Sequence, residues 1–181
     1  YVALGDVDGD GDLDLATANN GSNDVTLLLN NGVGTFTPAP GSPISLGSTG
    51  ASGIDFGDVD GDGDLDFAVA NNGSTNVAVL LNNGTGLYAP AVGSPFTVGT
   101  SPRSVTFGDV DGDGDLDIAT TNQTSNDVTV LLNNGAGSYS PSLGSPFAAG
   151  TQPIFLAFGD VDGDGDLDLA TANQSSNNLA V

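Results

Sequence analysis

The chain has 181 residues, with 23 acidic side chains against one basic one and a formal net charge of −22. Every acid is Asp, the one cation is Arg103, and Lys, Glu, His, Cys, Met and Trp do not occur. This composition excludes binding to nucleic-acid phosphates, which need Lys and Arg, attraction to an anionic membrane, disulfides and thiolate metal sites, and imidazole ligation or imidazole general-base chemistry.

High net charge with low hydrophobicity signals disorder. Here 38% of residues are apolar, and they fall in short β-branched runs while the acids are clustered. The pattern points to a folded chain whose charge is neutralised locally by bound cations, the partners its field favours. No run approaches the roughly 20 apolar residues that cross a membrane as a helix, so no membrane insertion is expected. No signal peptide is visible. The sequence opens on Tyr1 and stops at Val181 in mid-pattern. The expectation is a piece of a longer protein, with any targeting segment outside it.

An internal repeat dominates the chain. The string GDVDGDGDLD occurs four times, its first Asp at Asp6, Asp58, Asp109 and Asp160, at intervals of 52, 51 and 51 residues. The extra residue lies in the loop from Gly47 to Gly53. The repeats are taken as 1–53, 54–104, 105–155 and a partial fourth, 156–181.

In chain order through the second repeat, the acidic loop is followed by a short strand, Leu65–Ala70. Asn72-Gly73 is a turn signal. Asn76–Leu81 is a nearly all-apolar strand, expected to be buried on both faces. Asn83-Gly84-Thr85-Gly86 makes a second turn. Pro90 and Pro95 suit a loop or an edge strand, and Phe96-Thr97-Val98 is a weaker fourth strand. Ser104-Val105-Thr106-Phe107 alternates polar and apolar residues and opens the third repeat as a strand. Four short antiparallel strands in about 50 residues match one β-propeller blade. The fold class is therefore all-β, with propeller-like blades of four antiparallel strands and about 3.5 blades present. A solenoid or sandwich array is the alternative.

Each acidic loop has the spacing D-x-D-x-D-G-x-x-D. A hard cation such as Ca²⁺ takes about 6–8 oxygen ligands, and alternate residues of a curled loop can aim carboxylates at one centre. Side-chain ligands are expected from Asp6, Asp8, Asp10 and Asp14; Asp58, Asp60, Asp62 and Asp66; Asp109, Asp111, Asp113 and Asp117; and Asp160, Asp162, Asp164 and Asp168. The seventh position, Asp12, Asp64, Asp115 or Asp166, offers a backbone carbonyl. The sixth-position Gly permits the sharp turn. Mg²⁺ demands a smaller octahedron, and softer metals prefer the missing His and Cys. Five carboxylates within nine residues repel one another unless a cation sits among them, so four Ca²⁺ ions are expected, one per loop. An EF-hand is excluded: its twelfth position needs a bidentate Glu, and the chain has Thr17, Val69, Thr120 and Thr171 there.

These residues, with Phe56-Gly57 before the second loop and Asn76-Val77-Ala78-Val79-Leu80-Leu81-Asn82-Asn83-Gly84 after it, resemble the FG-GAP and VCBS repeats of integrin α-subunit propellers and many secreted bacterial proteins. Phe107-Gly108 and Phe158-Gly159 repeat the Phe-Gly pair; the first copy has Leu4-Gly5. The resemblance covers essentially the whole chain. It implies a β-propeller, usually of seven blades, with calcium in the loop joining the first two strands of a blade. The Gly-Ala-Pro element departs from that pattern, reading Phe36-Thr37-Pro38, Tyr88-Ala89-Pro90 and Tyr139-Ser140-Pro141. With about 3.5 copies, either more blades lie elsewhere or the blades stack in an open or polymeric arrangement.

Extracellular calcium modules bind at about 10⁻⁴–10⁻³ M, so such sites fill outside the cell, where this chain is expected. The copies barely differ, whereas catalytic sites break symmetry. The expected function is a non-enzymatic structural or adhesion module. Its partners are calcium and either an extracellular protein or glycan, or further copies in an array or fibre. A glycan- or protein-binding propeller and the propeller segment of a larger secreted enzyme are the alternatives. The Asn-Asn-Gly turns at Asn30, Asn82 and Asn133 are expected to shape hairpins. Phe96, Phe107, Phe147 and Phe158 are assigned to blade-to-blade core. Asp24, Asp55 and Asp127 are expected to face solvent, and Arg103 to lie on the surface or pair with an Asp.

Overall fold

The computed structural model describes residues 1–180; Val181, assigned above to the fourth repeat, lies outside them. The described residues form four antiparallel sheets and no helix. The first sheet holds β1 (Val2–Gly5), β2 (Asp14–Asn19), β3 (Asp24–Asn30), β4 (Phe36–Pro38) and β5 (Ile44–Ser45). The second holds β6 (Ala51–Gly57), β7 (Asp66–Asn71), β8 (Asn76–Asn82), β9 (Tyr88–Pro90) and β10 (Phe96–Thr97). The third holds β11 (Pro102–Gly108), β12 (Asp117–Asn122), β13 (Asp127–Asn133), β14 (Tyr139–Pro141) and β15 (Phe147–Ala148). The fourth holds β16 (Pro153–Gly159), β17 (Asp168–Asn173) and β18 (Asn178–Ala180). In the first three sheets the chain runs first strand, second, third, then outward. This is the meander of a propeller blade, and the described sheets do not close into a ring.

The outer strand differs from expectation. It is split into two pieces, Tyr88–Pro90 and Phe96–Thr97, both paired to β8. Pro90, which ends the first piece opposite Leu80, and Pro95, which precedes the second, carry no N–H to donate, so the ladder breaks between them. In the gap between the pieces the Val79 amide donates to the Ser94 hydroxyl at 2.9 Å. The Leu27 amide and Ser42, and the Val130 amide and Ser145, repeat the arrangement. The serine before each proline thus satisfies an amide that the broken strand would leave bare.

The sheets stack face to face, which explains the burial patterns. Strand β7 is buried at all six positions, because it has a sheet on each side. Phe67 and Val69 face the first sheet and pack with Ala16, Val25 and Leu27. Ala68 and Ala70 point the other way, as the two-residue period of a strand requires, and pack with Val105, Ile118 and Leu131. Strand β2, with a neighbour on one side only, alternates buried and half-buried. Phe96, Phe107 and Phe158 join the inter-sheet core, but Phe147 is 44% exposed and Phe67 takes the central aromatic position.

The first strands converge. Val2, Ile54, Asp55, Val105, Thr106 and Leu156, drawn from all four sheets, line a pocket of about 180 Å³ beside Tyr1. The Tyr1 hydroxyl donates to the Ile154 carbonyl at 3.3 Å. Asp55, expected in solvent, instead accepts from the Thr106 hydroxyl at 3.0 Å and the Phe107 amide at 3.1 Å, tying β6 to β11. Asp24 and Asp127 are half-buried and accept from the amides of Asn19 and Asn122. Arg103 is half-buried on β11 with its Nε buried and unpartnered.

Close sheet approach requires glycine at the ends of β1, β6 and β11, where a Cβ at Gly5, Gly57 or Gly108 would meet a side chain of the next sheet at 2.7–2.8 Å. A Cβ at Gly57 would lie 2.8 Å from Leu116 Cδ1 and 3.0 Å from the Phe107 ring. Gly57→Val should therefore overpack the interface between the second and third sheets and destabilise the protein by about 1–3 kcal/mol. A thermal melt in calcium tests this; an unchanged midpoint would contradict the packing described.

Candidate metal centres

Each acidic loop joins the first and second strands of its sheet, and its shape is fixed by the carboxylates themselves. In the second loop the Asp58 carboxylate accepts from the backbone amides of Gly61 at 2.8 Å, Asp62 at 3.1 Å and Gly63 at 3.0 Å. Asp62 accepts from the Asp64 amide at 2.9 Å. Such a curl turns the backbone into the left-handed region, and it does so at both the fourth and sixth positions: Gly61 has φ +75° and Gly63 φ +94°. The sixth-position glycine was legible in the motif; the fourth-position requirement was not drawn from it. The other loops repeat this frame.

The curl gathers the carboxylates. Oxygens of Asp6, Asp8 and Asp10 lie within 4.8 Å of one another, as do those of Asp58, Asp60 and Asp62, of Asp109, Asp111 and Asp117, and of Asp160, Asp162 and Asp164. The third-position residue is held differently from loop to loop: Asp111 and Asp162 each accept one backbone amide, at 3.3 and 3.2 Å. Asp8 Oδ1 and Asp60 Oδ1 are buried with no hydrogen-bond partner. A buried carboxylate oxygen that accepts nothing is costly, unless a cation takes it. Burial, followed by repulsion from neighbouring Asp10 and Asp62 respectively, raises the pKa of Asp8 and of Asp60. The donor set is all hard oxygen, which fits Ca²⁺.

The ninth-position Asp does more than the sequence reading gave it. Asp66 is fully buried. It accepts from the Val59 amide at 2.9 Å with one oxygen and from the Asn82 amide at 2.8 Å with the other. It thus pins the loop to the end of the third strand, as do Asp14 and Asp117. Burial is the chief reason its pKa is pushed up to about 6, against the two amide bonds that lower it. Burial likewise raises Asp117. The seventh-position carboxylates turn toward the Asn-Asn-Gly turns: a Cβ at Gly84 would lie 2.6 Å from Asp64 Oδ2, and Asp12 and Asp115 sit likewise against Gly32 and Gly135.

The Asn-Asn-Gly turns also reach the neighbouring sheet. Asn82 Nδ2 donates to the Val7 carbonyl and Asn133 Nδ2 to the Val59 carbonyl, each at 2.8 Å and buried. A continuous hydrogen-bonded path results: Val7 of the first loop to Asn82, Asn82 to Asp66, Asp66 to Val59 of the second loop, Val59 to Asn133, Asn133 to Asp117, and Asp117 to Val110 of the third. The fourth loop stands apart, with Asp160, Asp162, Asp164 and Asp166 all exposed and Asp168 half-buried. Recurrence of Asn30, Asn82 and Asn133 was the only sequence signal for this path.

The family description "FG-GAP-like repeat" matches residues 6–69, 58–120 and 117–171. Among curated proteins nothing matches. Among solved structures, a lectin of Agrocybe aegerita, described as specifically recognising non-reducing terminal N-acetylglucosamine, is similar with a TM-score of 0.59 at 24% identity, over 93% of this chain and 45% of that one. BBS1N, solved in complex with ARL6DN, is similar with a TM-score of 0.62 at 14% identity, over 99% of this chain and 55% of that one. The V. cholerae biofilm matrix protein Bap1 has a TM-score of 0.45 at 16% identity, over 94% of this chain and 27% of its own. At such identities the likeness is one of fold, and the chain spans about half the length of the first two structures, at 45% and 55%. With three overlapping matches running from residue 6 to residue 171, the chain belongs to the FG-GAP-like repeat family.

Proposed function

We propose that the chain is a calcium-stabilised, non-catalytic structural or adhesion module that works outside the cell. The observation that carries this reading is the set of converging carboxylates repeated in four loops, two of them with a buried Asp oxygen that accepts no hydrogen bond. Ca²⁺ would be held by the first-, third- and fifth-position carboxylates, with the ninth-position Asp and the seventh-position carbonyl completing the shell. It would supply charge neutralisation and cross-linking, not chemistry. At a Kd of about 10⁻⁴–10⁻³ M, a tenfold excess of calcium stabilises each site by about 1.4 kcal/mol. Four such sites give about 5–6 kcal/mol, comparable with the whole stability of an ordinary domain, about 5–15 kcal/mol. The carboxylates sit in equivalent positions of near-identical loops, which supports a structural duty over a catalytic one.

A second reading is a glycan- or protein-binding propeller. Its support is the pocket at the converging first strands, with Asp55, Ser104 and Thr106 on its wall, and the carbohydrate recognition described for the Agrocybe aegerita lectin. A glycan array probed in calcium would favour this reading if it returned a defined, saturable ligand.

Two outcomes test the calcium reading. The first is a pH dependence that changes sign with the ion. In excess chelator the raised pKa of Asp66, about 6, means that the folded state binds its proton more tightly than the unfolded state. Stability should then fall as the pH rises from about 4 through 6. In saturating calcium the order reverses, because ligands must be deprotonated and protons compete with the ion. Melting midpoints measured from pH 4.5 to 7 should slope in opposite directions; identical slopes would reject the assignment. The second concerns Asp60→Asn, which keeps the shape of the side chain but halves its donor capacity and removes its charge. Isothermal titration should lose one calcium per chain relative to wild type. An unchanged stoichiometry would remove Asp60 from the site.

A further inference from the structure

Asn82 and Asn133 each hold two acidic loops at once. The backbone amide of Asn133 donates at 2.8 Å to Oδ1 of Asp117, the ninth-position residue of the third loop. Its side-chain Nδ2 donates at 2.8 Å to the Val59 carbonyl of the second loop. Val59 stands between the candidate ligands Asp58 and Asp60, and its own amide donates to Asp66, the ninth-position residue of that loop, at 2.9 Å. Asn82 joins the first and second loops in the same way, through Asp66 and the Val7 carbonyl. These joints are buried: Val59, Asp66 and Asp117 are at most 2% exposed, and Asn82 and Asn133 are 5% and 8% exposed.

Buried bonds of this kind make neighbouring loops depend on one another. When carboxylate repulsion opens an ion-free second loop, the Val59 carbonyl is withdrawn, and Asn133 Nδ2 keeps only its longer bond, 3.2 Å to Leu116 of its own loop. Stripping a buried donor of its partner is costly. When an ion closes the third loop, Asp117 is fixed, Asn133 with it, and the Val59 peptide is held before the second loop binds. The second ion then meets less ordering, which gives positive coupling without any change of ligands. The field acts the other way, because cations in neighbouring loops repel and salt screens that repulsion. The sign of the coupling therefore separates the two effects.

We propose that Asn82 and Asn133 are positioning residues that couple the first three calcium sites, so that filling one loop tightens its neighbour. This rests on the calcium reading above and goes beyond it, since the same ions at independent sites would satisfy that reading equally well.

Tyrosine supplies a local readout. The Tyr88 hydroxyl donates to the Leu65 carbonyl of the second loop at 2.8 Å. Burial, then the charges of Asp66 and Asp14, raise its pKa, which places it near the first loop as well. Tyr139 bonds Leu116 of the third loop, and Tyr1 precedes β1, at the opposite end of that strand from its loop. Full-length protein carrying Tyr139→Phe, and Asp8→Asn to disable the first loop, leaves Tyr88 to sensitise terbium emission from the second loop alone. Terbium is titrated in about 0.15 M salt. Adding Asp111→Asn, which disables the third loop, should raise the emission midpoint at least about fivefold. With Asn133→Ala also present, Asp111→Asn should leave the midpoint unchanged or lower it. Asn133→Asp keeps the Oδ1 that accepts the Asn134 amide but loses the donor to Val59, and should behave as Asn133→Ala does. A merely structural role for Asn133 would shift the midpoint by itself yet leave the effect of Asp111→Asn intact, and that result would overturn the proposal. So would a midpoint that Asp111→Asn does not raise while Asn133 is present; emission that calcium displaces would then leave the calcium reading standing. No saturable emission at all would reject both.

Discussion

Mutual repulsion among clustered carboxylates is the constraint on which this structure turns. Twenty of the 23 Asp residues sit in four ten-residue loops, each wound so tightly that three carboxylates come within 4.8 Å of one another. Backbone amides hold the winding: a single carboxylate, Asp58, takes three of them. Those bonds satisfy the first-position Asp but not the third. The loop therefore stores unfavourable electrostatics at its centre, where an oxygen-seeking divalent ion would convert repulsion into attraction. Burial adds to this by raising the pKa of Asp60 and Asp66, so that protons and calcium compete for the same place.

That local balance reaches the whole stack. Asp66 is both a member of the acidic loop and the acceptor that fixes the end of the third strand. Asn82 carries the constraint across to the previous loop through the Val7 carbonyl. Packing supplies the rest. The two-faced burial of Phe67, Val69, Ala68 and Ala70 makes the second sheet the centre of the hydrophobic stack, and the glycines at the ends of the first strands set the spacing. A loop that loosens would free the strand ends on both sides of it, so order in one blade supports order in the next.

Much of this was legible in the residues. The 51-residue period, the apolar run Asn76–Leu81 and the acidic spacing give blades, a buried third strand and candidate ligands, because each depends on local chemistry. Longer-range relations were not legible. Asp55 looks like a solvent carboxylate until β11 brings Thr106 and Phe107 beside it. Nothing local marks Asn82 as a cross-sheet donor, since its partner lies 75 residues away. The outer strand was legible in part: Phe96-Thr97 pairs as expected and Pro90 sits on an edge strand, where no ladder amide is asked of it, but the first piece, Tyr88–Pro90, and the serine that bridges the gap have no pattern of their own. Phe147 recurs at the repeat position of Phe96 yet stands exposed, because burial there depends on the following sheet.

The most direct test of the account is anomalous diffraction from crystals of the chain grown in calcium. The account requires one strong peak inside each of the four acidic loops, within ligand distance of the first-, third- and fifth-position carboxylates and coordinated through the oxygens of Asp8 and Asp60 that otherwise have no partner. Ordered loops with no peak in saturating calcium would contradict it.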